Sequence, residues 1–249
     1  KVAGSADKAV ELMNSRAKML GMNGTVYTDC TGMGEGNVTT ANDTALLCSE
    51  LAKYKNLTPY LTCWLDTVRD GKAELVNLNR LVRTYKGVTG MKAWGSEKAG
   101  SCIAATAEKG DMSVCVVLNG CDSQEDMNVE AKKLLNLAFD TYEIYTPELP
   151  EDMVKETVVC GGEELSVELA PKGLYPIVIP RGTYRMVECD FTAEEKLDAP
   201  VKNGETAGEI RYTMGGEVIL EGKIVACKEV KKMNFICGIK KLVYNLLSM

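Results

Sequence analysis

The hydrophobic period of this chain switches repeatedly between that of helices and that of strands, and the succession limits the fold more than any one motif does. Helical spacing comes first. Ser5 stands where an N-cap belongs, Ala6, Ala9, Val10, Met13, Ala17 and Leu20 recur at three- and four-residue intervals, and Gly21 follows where a helix closes. The spacing predicts an amphipathic helix over Ala6–Leu20. The stretch Thr25–Val38 is Gly-rich and irregular, as a surface loop is. A second helix is expected from near Thr40 to about Lys55, with Ala41, Ala45, Leu46, Leu51 and Ala52 facing inward, and a shorter helical turn over Pro59–Leu65.

Beyond Arg69-Asp70-Gly71-Lys72, a hairpin turn signal, the period becomes that of strands. Gly87–Trp94, Ser101–Ala107 and Met112–Leu118 are short apolar or alternating runs split by Gly-containing turns, which predicts adjacent antiparallel strands. Val129–Tyr142 returns to helical spacing through Ala131, Leu134, Leu135, Ala138 and Phe139. Helices, a meander and a closing helix describe an α/β (α+β) domain over residues 1–145. Thr146–Pro150 is then a linker into a small all-β domain, residues 146–229. Its strands are expected at Glu156–Cys160, Glu164–Leu169, Pro176–Ile179, Tyr184–Cys189, Thr206–Thr213 and Glu217–Cys227. In residues 230–249, Phe235, Ile239, Leu242, Leu246 and Met249 form one helical stripe, with Lys240, Lys241, Asn245 and Ser248 off it. Such an amphipathic helix suits a membrane interface, or docking on its own protein.

Composition removes whole classes of chemistry. There is no His among the 249 residues, which excludes a Ser-His-Asp triad, His-ligated zinc and imidazole bases together. The ten Cys include no C-x-x-C pair, so a zinc ribbon or thioredoxin-type dithiol is not indicated, and no metal or cofactor is expected. Cys48, Cys102, Cys115 and Cys227 lie in apolar runs, where a thiol acts as a small hydrophobe. A chain of this length does not need a disulfide framework. A net charge of −6 argues against a nucleic-acid partner. The loop Thr31–Asn37 has Gly but no P-loop Lys-Ser/Thr, and the four N-x-T strings read as turn and cap residues. No apolar run is long enough for a transmembrane helix and no signal-peptide pattern is present. The chain opens at Lys1 without an initiator Met, as a fragment or a processed product would.

Several collinear segments carry a family likeness. Met13-Asn14-Ser15-Arg16-Ala17-Lys18-Met19-Leu20-Gly21-Met22 is followed by Asp29-Cys30-Thr31-Gly32-Met33, and then by Thr39-Thr40-Ala41-Asn42-Asp43-Thr44-Ala45-Leu46. Asp66–Gly71, Leu75–Leu81, Gly87-Val88-Thr89-Gly90-Met91-Lys92, Lys98-Ala99-Gly100 and Leu197–Gly204 continue the order. Together they resemble the serine D-alanyl-D-alanine carboxypeptidases, the low-molecular-weight penicillin-binding proteins of peptidase family S11. The resemblance implies a β-lactamase/transpeptidase-like domain lacking its N-terminal part, then the family's small β-domain and a C-terminal membrane-anchor helix. It also implies an extracytoplasmic, membrane-associated place in a bacterial cell envelope.

The family's chemistry, acylation of a Ser and hydrolysis of the ester, uses S-x-x-K, a Ser-containing second motif and K-T-G. One helical turn separates Ser and Lys in the first, so a Lys of lowered pKa can take the hydroxyl proton. In the family's order the first two motifs belong ahead of residue 1. Ser5-Ala6-Asp7-Lys8 and Ser15-Arg16-Ala17-Lys18 match the first string, but on a helix that the resemblance places after the catalytic ones. Ser5 therefore reads as a cap and Ser15 as a surface residue. The third motif stands as Lys92-Ala93-Trp94. Lys92 keeps its charge, Ala93 has no hydroxyl to offer, and Trp94 replaces a residue whose value is its lack of a side chain. Alternation puts Trp94 on the face of Lys92, where it either fills the cleft and shields that charge or packs in apolar surroundings. Asp126 or Met127 stands where the family usually has an Arg for the substrate's terminal carboxylate, and an Asp would repel that group.

Three functional readings follow from the resemblance. One is a serine carboxypeptidase acting on peptidoglycan stem peptides and binding β-lactams, with its nucleophile supplied ahead of Lys1. Another is a non-catalytic relative that binds cell-wall peptide or an envelope protein. The third is a truncated reading frame, in which 1–145 is poorly stable while 150–229 folds by itself.

Overall fold

The computed structural model of the protein describes residues 2–235 and 239, and the chain divides into two compact units, residues 1–141 and 142–249. The division falls before Tyr142–Tyr145, which the expected domain bound at 145 includes in the first domain and which forms a strand in the second unit. Most of the expected C-terminal helix, residues 230–249, lies outside the described residues.

In the first unit the elements are α1 (Ala6–Met19), α2 (Ala41–Leu51), α3 (Thr58–Leu61), β1 (Leu65–Val68), β2 (Ala73–Val76), α4 (Leu81–Thr84), β3 (Val88–Ser96), β4 (Gly100–Lys109), β5 (Met112–Cys121) and α5 (Gln124–Thr141). The ends of α1 show why it forms where it does. Ser5 Oγ accepts the amide of Lys8 at 3.2 Å, Asp7 sits in the first turn, and Arg16 and Lys18 sit in the last. Gly21 then takes a left-handed φ of 77°, which lets the Met22 amide reach back to the Ala17 carbonyl at 3.0 Å.

α2 starts on a second cap, Thr40, whose side chain accepts the Asp43 amide at 3.0 Å. Its inward residues are Cys48 and, unexpectedly, Asp43. Leu46, expected to face inward, is exposed, as is Leu47. The buried Asp43 carboxylate is satisfied locally, accepting the Gly24 amide at 2.8 Å and the Thr25 hydroxyl at 2.7 Å. Hydrogen bonding thus fixes the rotation of α2 where a simple apolar count suggested another face. Pro59–Leu65 is also only partly helical, because α3 ends at Leu61 and Leu65 opens β1. The β1–β2 hairpin turns through Arg69, Asp70 and Gly71, all at positive φ.

β3, β4 and β5 form an antiparallel sheet in the order β3-β4-β5, so β3 is an edge strand. Ala104 and its cross-strand neighbour Val117 belong to a cluster with Cys48 of α2. Alternation leaves Ile103 and Ala105 on the other face, against α5 with its buried Met127, Ala131, Leu135 and Phe139. The helix–sheet–helix layering is that of an α+β domain. α5 begins five residues before its apolar spacing does, since Ser123 Oγ accepts the Asp126 amide at 3.0 Å and caps the polar first turn.

The second unit holds β6 (Tyr142–Tyr145), β7 (Glu156–Cys160), β8 (Ser166–Lys172), β9 (Ile177–Pro180), β10 (Val187–Ala193), β11 (Lys196–Asp198), β12 (Thr206–Met214) and β13 (Glu217–Ala226). Six of them make one sheet ordered β10-β12-β13-β8-β7-β11, with only β11 and β7 parallel, and β6 pairs with β9. Val159, Val167, Leu197, Val201, Ile210, Tyr212 and Ile224 lie in its core. Period-2 burial is clearest in β7 and β10, as in strands with one wet face. Tyr184–Met186, read as the start of a strand, is a 3-10 turn, and the strand begins at Val187.

Candidate functional site: the β3 edge strand

The expected substrate-binding string lies at the centre of β3. The strand's entry is fixed from both sides. At Gly87 (φ 92°), a Cβ would stand 2.4 Å from the Glu108 carbonyl oxygen, so only Gly allows β3 to lie this close to β4. At Gly90, the fully buried Asn79 donates its side-chain amide to the strand's carbonyl at 3.3 Å, while its Oδ1 accepts the Leu81 amide at 3.1 Å. Thr89 Oγ1 donates to Thr106 Oγ1 at 2.8 Å across the sheet. At the far end, Lys98 pairs with Glu35 at 3.0 Å, joining the turn after β3 to the loop before α2.

Between these anchors the three residues separate by face. Lys92 is exposed, opposite Ala104, and among the described residues makes no ion pair. Ala93 is buried on the other face, opposite Ile103. Trp94 shares the face of Lys92, stands opposite Cys102, and is half-buried against the cluster of Cys48, Met91 and Ala104. A free ammonium remains on this strand. No hydroxyl accompanies it at position 93, and position 94 carries an indole.

The other candidate residues are elsewhere. Ser5 is occupied as the α1 cap and Ser15 is an exposed residue of the same helix. Asp126 is exposed in the first turn of α5, where Ser123 Oγ donates to its carboxylate at 2.5 Å, and Met127 is buried under the helix. In the Asp29-Cys30-Thr31-Gly32-Met33 string, Asp29 Oδ1 accepts the Thr31 hydroxyl and the Thr31 and Gly32 amides, each at 2.7 Å, and Oδ2 accepts the Gly34 amide at 3.1 Å. The Thr31 hydroxyl and these amides hold the carboxyl below its ordinary value, so it is a charged organiser of its own loop. Asn79 has the clearest structural part at β3 that sequence reading did not single out. Its only signal is its place in the mixed string Leu75-Val76-Asn77-Leu78-Asn79-Arg80-Leu81, where Asn77 and Arg80 are polar as well. Among the described residues no group of His, Cys, Asp or Glu is arranged to hold a metal ion, and no helix is long and apolar enough to cross a membrane.

Comparison with known proteins finds relatives for both units. Residues 1–122 match the D-alanyl-D-alanine carboxypeptidase family, peptidase S11, and residues 139–232 match the C-terminal domain of penicillin-binding protein 5. The chain is 31% identical to the D-alanyl-D-alanine carboxypeptidase DacF of Bacillus subtilis (strain 168), over 96% of its own length and 63% of that protein's. It is 30% identical to DacC of Escherichia coli (strain K12), over 94% of its own length and 59% of that protein's. In structure it resembles penicillin binding protein 5 from Haemophilus influenzae, with a TM-score of 0.76 and 24% identity, covering 92% of this chain and 68% of that one. The chain belongs to the S11 family of low-molecular-weight penicillin-binding proteins, and it spans about three-fifths of the length of the curated relatives it matches.

Proposed function

We propose that this chain is a D-alanyl-D-alanine-carboxypeptidase-like protein of peptidoglycan metabolism that binds cell-wall peptide without turning it over. The observation carrying this reading is the state of β3. Lys92 offers an exposed cation to an anionic peptide terminus, while Ala93 and Trp94 remove the hydroxyl and the side-chain-free approach that acylation needs beside it. Asp126 or Met127 stands where the resemblance implies a gripping Arg, and neither supplies a cation. The protein then acts at the outer face of a bacterial membrane, with peptidoglycan stem peptide or another envelope protein as partner and residues 230–249 as the membrane contact. The carboxypeptidase names of its relatives support the peptide partner, and the apolar stripe of that segment supports the membrane contact.

The test is exposure to a fluorescent penicillin together with a D-Ala release assay on stem pentapeptide. The proposal expects neither a labelled band nor released D-Ala, with peptide binding retained and weakened by Lys92→Ala. Labelling that competes with unlabelled penicillin overturns it. A second reading, an active carboxypeptidase whose Ser and Lys lie outside residues 1–249, is favoured by the 37% of DacF that the match leaves uncovered. Labelling is the outcome that reading requires.

A further inference from the structure

Beneath the Lys92–Trp94 strand two thiols meet from different elements. Cys48 projects from α2 and is buried, and Cys115 projects from β5 and packs on the same cluster, beside Leu51, Trp94 and Val117. The helix packs directly on the strand. The two thiols pack in one apolar cluster, close enough for each to influence the other's ionisation. Their surroundings differ in one useful respect. Cys115 lines an open cavity of about 350 Å³, together with Ser49, Ala52, Lys53, Lys55, Thr106 and Ser113, whereas Cys48 is only 5% exposed. One sulfur can thus be reached from solvent while its neighbour waits behind it.

We propose that Cys48 and Cys115 form a reversible disulfide that pins α2 to β5. The exchange balances with a small-molecule disulfide as oxidant. The solvent-reached sulfur of Cys115 displaces one half of the oxidant to give a mixed disulfide, and Cys48 then displaces the other half. Two protein S–H bonds and the oxidant's S–S bond break. One protein S–S bond and two S–H bonds on the released thiols form, so the protein gives up two electrons and two protons and the oxidant takes both. The neighbouring Cys48 thiol and burial push the Cys115 thiol up, so it stays protonated until the oxidant reaches it.

Cross-linking residues so far apart in sequence restricts the unfolded chain over a long loop. The expected readout is a rise in melting temperature of roughly 10 °C on oxidation.

The experiment treats the whole protein with oxidised glutathione, alkylates remaining thiols under denaturing conditions, digests without reductant and maps peptides by mass spectrometry. A linked pair containing Cys48 and Cys115, lost on reduction and absent from Cys48→Ser and Cys115→Ser, is the expected result. A second measurement needs no variant: a trivalent phenylarsenical, which bridges only adjacent thiols, should protect both from later alkylation in the wild-type protein. Complete alkylation of both cysteines after oxidation of folded protein, or glutathione left on Cys115 with Cys48 free, overturns the proposal.

Discussion

Lys92 and Trp94 stand on one face of β3, opposite Ala104 and Cys102 of β4, and only the lysine is free of the core. Replacing Trp94 by Gly removes roughly half the packing of a buried Trp and adds the cost of Gly in a strand, about 2–3 kcal/mol together. Lys92→Ala should stay within about 0.5 kcal/mol of the parent. Urea denaturation of the two variants checks the contrast, and equal effects would mean that Trp94 packs against little.

Asn79 anchors the strand from below. Its side chain bridges the Gly90 carbonyl and the Leu81 amide, and its own amide donates to Asn77 Oδ1 at 3.0 Å. Asn79→Ala leaves buried backbone groups unpaired and should cost about 2–3 kcal/mol. Amide exchange along Val88–Ser96 should rise more than along Met112–Cys121. Uniform exchange would show that the anchor is not local.

Gly208 sets the spacing between β12 and β10. A Cβ there would fall 2.0 Å from the Thr192 carbonyl oxygen and 2.8 Å from the Ala193 Cα, both backbone atoms that cannot step aside. Gly208→Ala should therefore destabilise the second unit by about 1–3 kcal/mol, read as a lowered urea midpoint. An unchanged midpoint would contradict the pairing of Gly208 with Ala193.

Tyr212 gives the second unit an alkaline dependence. It is fully buried, donates its hydroxyl to the Glu148 carbonyl at 2.9 Å, and meets the Tyr145 ring edge-on at 6.3 Å. Burial first, then the Cys189 thiol beside it, pushes its phenol well above the ordinary 10.0. A folded pKa above the unfolded one favours the neutral form, so this contribution is complete below about pH 10 and is lost as pH rises through the folded value. Urea unfolding between about pH 8 and about pH 11 should show stability falling toward the alkaline end. Tyr212→Phe should flatten that fall while costing about 0.5–1.5 kcal/mol at neutral pH for the lost hydrogen bond. A slope unchanged in the variant would assign it to other groups.

The elements with a strong period of their own were legible in the sequence. α1, with its Ser5 cap and Gly21 stop, and the β3–β5 meander follow from local spacing and turn residues. Where a contact distant in sequence decides, local reading fails. Leu46 was expected inside, yet hydrogen bonds from Gly24 and Thr25 to Asp43 turn that face of α2 outward. Tyr142–Tyr145 and Lys196–Asp198 are too short to show alternation and become strands only by pairing with β9 and β7. At the site, the identity and position of Lys92, Ala93 and Trp94 could be read directly. The packing of Trp94 against Cys48, and the Asn79 bridge to Gly90, could not, because both join segments that the sequence keeps apart.

Intact-mass spectrometry checks the proposal that β3 of this family member does not support acylation. The protein expressed from its whole open reading frame is incubated with excess benzylpenicillin and weighed. An unmodified mass is the expected result. A stoichiometric penicilloyl adduct, mapped to a Ser, would contradict it.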